Sequence, residues 1–160
     1  MPAISPTARI SSTRHLLSSG GESLALRRLW VEIGFENRVG LRRFSRCLLD
    51  TGAAVCVIPF MAQRNHSLLW QPLPGTWPPG MTTWMGVPCV LGEIQVWPVL
   101  TDPPYLQGPL RMIAKFPVAT PHGVQSSIPI ILGLNFLADY LAQTSFQCHS
   151  LPTAGVIELP

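Results

Sequence analysis

Residues 47 to 59, CLLDTGAAVCVIP, set one acid in an otherwise apolar run. Leu48 and Leu49 precede Asp50, and Val55, Val57 and Ile58 follow it closely. A carboxylate that folding draws out of water must find hydrogen-bond donors or surrender its charge. Such an acid therefore marks either a tight structural turn, where it accepts backbone N–H groups, or a chemical site. The other reactive residue types give no comparable pattern. His15, His66, His122 and His149 have no carboxylate or nucleophile at a telling spacing. The four cysteines, Cys47, Cys56, Cys89 and Cys148, contain no C-x-x-C. Cys148-His149 has no second pair to complete a zinc site. No metal and no cofactor are expected. The apolar neighbours of the cysteines predict buried, reduced thiols, which fits a cytoplasmic location.

The elements that must position Asp50 follow from the alternation of side chains. Leu29, Val31, Ile33 and Phe35 alternate with Trp30, Glu32 and Gly34, the period of a half-buried strand. A turn over 36–40 then returns the chain along a second strand, 41–50, so that this hairpin delivers Asp50 at its far end. Leu48 and Asp50 share one face and Cys47 and Leu49 the other. Gly52 permits a sharp turn, and a third strand, 55–58, stops at Pro59. QPLPGTWPPG, residues 71–80, reads as an irregular surface loop. Beyond it, 82–84 and 89–99 form the arms of a hairpin, with Met85, Gly86, Val87 and Pro88 at its tip. A proline-rich connection, 101–109, leads to a strand at 112–119. IPIILG is a buried strand, followed by a short helix at 135–142, and GVIELP is a terminal strand candidate.

Composition bounds the rest. A chain of 160 residues with 47% hydrophobic and 12% charged residues has the makings of one domain with one core. Seventeen prolines and little helical periodicity point to a mostly β, loop-rich protein. The longest apolar run, 128–142, is interrupted by Pro129, Gly133, Asn135 and Asp139, which is too short for a membrane span, so no membrane association is expected. Through residue 46 there are eight Arg against three Glu; afterwards three basic residues face five acidic ones. No nucleic-acid module interleaves bases and aromatics in that basic part, so it is read as a solvated tail plus outer strand faces, with no nucleic-acid partner. Residues 1–23, rich in Ser, Thr and Arg, are expected to be a disordered tail, and 24–160 the folded domain.

Leu48-Leu49-Asp50-Thr51-Gly52-Ala53, followed much later by Ile131-Leu132-Gly133, resembles the retropepsin branch of the aspartic proteases. The resemblance covers about residues 26 to 159 and includes the apolar strands on both sides of the motif, the intervening hairpin and the late short helix. It implies an all-β fold: a closed acid-protease barrel with one short C-terminal helix, one lobe per chain. In that chemistry two carboxylates about 3 Å apart share one proton; one activates a water while the other protonates or hydrogen-bonds the scissile carbonyl. One Asp-Thr-Gly on a half-length chain implies a homodimer that brings two Asp50 residues to a two-fold axis and cleaves a peptide or protein substrate.

The resemblance further implies that Asp50 is the catalytic acid, that Thr51 hydrogen-bonds across the axis, and that Gly52 and Ala53 lie against substrate backbone. It also implies that Met85, Gly86 and Val87 belong to a flap that closes over the substrate. Two departures stand out. The flap tip is poor in glycine, and Pro88 lacks a backbone donor. Where many viral relatives place an acid after the motif and an Arg after the late glycine, this chain has Ala54 and Leu134. Both partners are missing together, and an apolar contact is expected instead of the ion pair. The alternative to an endopeptidase is a dimeric binding or scaffold module of the same fold that no longer cleaves.

Overall fold

The computed structural model describes residues 7–19, 22–75, 82–101, 104–106, 109–124, 128–141 and 145–158. Its elements are β1 (Thr7–Ser19), β2 (Glu22–Glu36), β3 (Arg42–Leu49), β4 (Cys56–Val57), α1 (Phe60–Asn65), β5 (Gln71–Pro72), β6 (Thr82–Trp84), β7 (Val87–Thr101), β8 (Pro104–Leu106), β9 (Leu110–Pro117), β10 (Ile131–Leu132), α2 (Leu134–Leu141) and β11 (Ser145–Glu158).

Six of the strands close a ring: β2, β3, β10, β4, β9 and β7 follow one another, and β7 pairs back onto β2. The mostly β, closed-barrel expectation is met. The period-two pattern accounts for the core. Val31, Ile33 and Phe35 of β2 point inward with Ile94 and Val96 of β7 and Met112, Ala114 and Phe116 of β9, all nearly inaccessible to solvent. A slip of one residue would turn each of these sets toward solvent, so the pattern holds the register. Leu29 accordingly pairs with Leu49 and Val31 with Cys47, which leaves Asp50 just past the end of β3.

Several expectations are corrected. The fold has two short helices, not one: α1 follows Pro59, which sits at its N-cap with φ −56°. Proline fixes the entry angle, and Phe-Met-Ala-Gln-Arg-Asn then carries no breaker. α2 begins one residue earlier than expected. The segment 1–23 is not a free tail throughout, because Thr7–Ser19 runs antiparallel to β2 and parallel to β11. Its polar composition hid Ile10, Leu16 and Leu17, and its last residue, Ser19, pairs with Glu22. Gln71 and Pro72, expected in a loop, pair with Glu93 and Gly92 at the sheet edge, a position that tolerates proline. The terminal strand candidate is the end of a much longer β11. Residues 76–80 of the proline-rich loop lie outside the described residues.

Among the described residues no helix is long and apolar enough to cross a membrane.

Candidate active site

Asp50 sits where three short segments converge. Its N–H donates to the Leu132 carbonyl (2.9 Å), and the Leu48 N–H donates to the Ile130 carbonyl (2.8 Å), so parallel pairing with β10 holds the chain up to the acid itself. The chain then turns: the Ala53 N–H donates to the Asp50 carbonyl (3.2 Å), and the Gly52 N–H to Asp50 Oδ1 (2.9 Å). Asp50 is half-buried, while Thr51 and Gly52 are exposed. Among the described residues no hydrogen bond is formed to Oδ2, so the turn fixes the carboxylate through Oδ1 alone. The acid is thus held as a tight turn would hold it, yet it is presented outward as a chemical site requires.

Gly133 lies under this loop. A Cβ placed there would stand 2.6 Å from the Ala53 carbonyl oxygen and 2.8 Å and 2.9 Å from the carbonyl carbon and oxygen of Val55. All three are backbone atoms, so only glycine allows the β10–α2 junction to approach so closely. The approach makes the first turn of α2 useful: the Leu134 and Asn135 N–H groups donate to the Ala53 and Ala54 carbonyls (2.8 and 3.2 Å). The orphan donors of a helix start are thereby spent on the loop that follows Asp50. Ala54 is exposed and Leu134 is 47% exposed. Main-chain hydrogen bonds join the two segments where an apolar contact was expected.

Asn135 was not singled out by sequence reasoning as a site residue. Its Oδ1 accepts the Cys56 N–H (2.9 Å) and the Cys56 thiol (3.2 Å), and its Nδ2 donates to the Ile113 carbonyl (2.7 Å). One amide thus binds β4 and β9 to α2, and the Gly133 N–H completes the knot on Cys56 Sγ (3.3 Å). The signal that could have found it is Gly-x-Asn directly after a buried strand, since a polar amide in an apolar helix start needs buried partners. Asn135→Leu should leave two backbone groups unsatisfied and cost about 2–4 kcal/mol. A chain of this size should then melt roughly 6–12 °C lower. Calorimetry of the two proteins checks this, and an unchanged melting temperature would refute the role.

The expected hairpin is present, with a shorter tip than expected. Trp84 pairs with Val87, leaving a two-residue turn of Met85 and Gly86, with φ +49° and +77°. Two left-handed residues make the turn that suits the twist of a hairpin, and Gly86 adopts it without strain. The tip is therefore two residues long, not four. Met85 is 60% exposed, whereas Val87 is 8% exposed and begins β7. Pro88 pairs with Thr83, and its carbonyl accepts the Val118 N–H (3.1 Å). Lys115 Nζ donates to the Thr83 carbonyl (3.1 Å), fixing the hairpin to β9. Among the described residues no hydrogen bond joins the tip to the Asp50 loop, so the structure assembles Asp50, Thr51, Gly52 and Ala53 into one loop and leaves Met85 and Gly86 on a separate arm.

Cys47, Cys56 and Cys89 are buried thiols outside any disulfide, as expected. Burial pushes the Cys47 thiol well up, helped by neighbouring Cys56, and pushes the Cys89 thiol up against the opposing effect of Lys115. Such thiols are poor nucleophiles. Among the described residues no three His, Cys, Asp or Glu side chains cluster as a metal site needs.

A comparison with the profiles of protein families finds no match for the chain, and none of the curated proteins is similar to it. What can be said of its function therefore rests on the loop itself.

Proposed function

We propose that the chain is a retropepsin-like aspartic endopeptidase that acts as a homodimer. The observation carrying this reading is the Asp50 loop: a strand-end carboxylate with Oδ1 held by the Gly52 N–H and clamped from beneath by Gly133. One such carboxylate cannot both take a proton from water and give one to the substrate. A second Asp50, from a partner chain, supplies the missing role. Water held between the two is activated by the ionised member, attacks the scissile carbonyl, and the protonated member stabilises the oxygen as its charge develops. Thr51, exposed beside the acid, bonds across the axis, Gly52 and Ala53 face substrate backbone, and the Met85-Gly86 turn closes over it.

The sheet offers a route to the dimer. β11 ends the strand order and pairs within the chain only with β1, among the described residues. Fourteen residues of strand with one free edge form a ready template for a second chain.

The test is cleavage of a mixed peptide library at several pH values and protein concentrations. Specific activity should fall on dilution in step with loss of the dimer measured by sedimentation. Full activity from a demonstrated monomer would overturn the dimeric mechanism, and a folded dimer that cleaves nothing at any pH would leave the scaffold reading.

A further inference from the structure

We propose that the cleft between α1 and the turn joining β2 to β3 is a binding site for a phosphate monoester. Its volume is about 410 Å³, within the range of small-molecule sites. Arg38 and Arg64 line it together with Phe60, Trp70, Ser67 and Gln63.

The walls are preformed. The Arg38 N–H donates to the Ser67 carbonyl (2.9 Å), the Leu69 N–H donates to the Glu36 carbonyl (3.0 Å), and Asn37 forms a bridge with Leu68. Buried Asn37 holds the turn from within, its Oδ1 accepting the N–H groups of Val39 (3.1 Å) and Leu41 (2.8 Å). α1 is fixed to the barrel through Gln63 Nε2, which donates to the carbonyls of Ile58 (2.8 Å) and Pro117 (3.1 Å). Trp70 stacks on Phe116 with ring centroids 3.9 Å apart. The backbone of the concavity is thus fixed, and it carries the exposed side chains of Arg38 and Arg64 to one place, where a ligand has only those side chains to order.

The distribution of charge selects the ligand. Neither Arg38 nor Arg64 forms an ion pair with a described residue; Arg64 instead rests over the Phe60 ring, 5.7 Å from its centroid. The nearby carboxylates of Glu36 and Glu93 line a separate cleft that shares Trp70. Trp70 therefore borders a cleft with two cations outside any described ion pair and one whose Glu93 is already paired with Arg111 (2.7 Å). Two planar guanidinium forks and a hydroxyl match the oxygens of a dianionic phosphate better than a single carboxylate. The aromatic walls suit a flat base, which makes a nucleoside monophosphate the smallest ligand to use every wall. A phosphoserine side chain would use the same Arg pair without the rings. The site is also independent of Asp50: Leu29, opposite Leu49, and Glu36, beside the cleft, are seven residues apart on β2, about 23 Å of strand.

The test is calorimetric titration of the full chain with adenosine monophosphate, adenosine, inorganic phosphate, and a phosphoserine peptide beside its unphosphorylated form. The phosphate-bearing probes should bind saturably at about 1 mM or below. Arg38→Gln with Arg64→Gln should weaken them on the order of tenfold or more, with an unchanged circular-dichroism spectrum. Tighter binding of the nucleotide than of the peptide would identify the nucleotide as the source of the phosphate, and the reverse order a phosphoprotein. No saturable binding of any phosphate-bearing probe, equal binding of adenosine and its monophosphate, or a double variant that binds as wild type would each overturn the proposal. Loss of cleavage in Asp50 variants bears on none of these outcomes.

Discussion

Asp50→Asn should fold and dimerise like the wild type and cleave nothing measurable. Asparagine is nearly isosteric with aspartate and keeps an oxygen where Oδ1 accepts the Gly52 N–H, so the turn survives. The bond from the Asp50 N–H to Leu132 is main chain and is untouched. What is lost is the ability to hold or pass a proton. In a dimer the substitution removes both members of the pair at once, and groups that act as a unit fail together, so kcat/KM should fall on the order of a thousandfold or more. The measurement is library cleavage by both proteins, with sedimentation and thermal melting to confirm that fold and assembly are intact. Equal cleavage by the two would remove Asp50 from the mechanism. A variant that no longer folds would show that the acid is a structural turn residue.

Gly133→Ala should damage both stability and catalysis. The new Cβ meets the Ala53 carbonyl oxygen at 2.6 Å and the Val55 carbonyl group at 2.8–2.9 Å. Backbone cannot swing aside as a long side chain can. Either the Asp50 loop or the start of α2 must move, and the bonds from Leu134 and Asn135 to Ala53 and Ala54 stretch or break. Overpacking of this kind costs about 1–3 kcal/mol. The consequence for chemistry should be larger than for folding, since displacing a reacting group by about 1 Å can cost on the order of a hundredfold in rate. Urea unfolding measures the first effect and kcat/KM on a cleaved peptide the second. A variant with wild-type midpoint and rate would show that the junction is looser than a clamp.

Much of the barrel is legible in the sequence because its strands alternate. Val31, Ile33 and Phe35 announce a strand and the face it buries, and the turn residues after Glu36 announce its reversal. The Asp50 loop is legible for a related reason, since an acid between apolar strands, followed by glycine, has few explanations. Other elements leave weaker traces. Ile131–Leu132 is a two-residue strand, and its place between β3 and β4 depends on partners about eighty residues away. β1 is polar in composition, and its strand state comes from pairing with β2 and β11, which no local propensity encodes. α1 is six residues long, too short for periodicity to show.

The sequence by itself determined the class of the fold and the position of the acid at a strand end, because both follow from local pattern. The tertiary structure alone decided how the acid is held. Gly133 is only the end of the late Ile-Leu-Gly run until Ala53 and Val55 backbone atoms are found 2.6–2.9 Å from where its Cβ would stand, and Asn135 is an ordinary helix residue until Cys56 and Ile113 are found at its amide. It likewise decided that Arg38 and Arg64, far apart in the chain, share a cleft bordered by Trp70. Contacts of this kind depend on distances between backbone segments remote in sequence, and only closure of the barrel sets those distances.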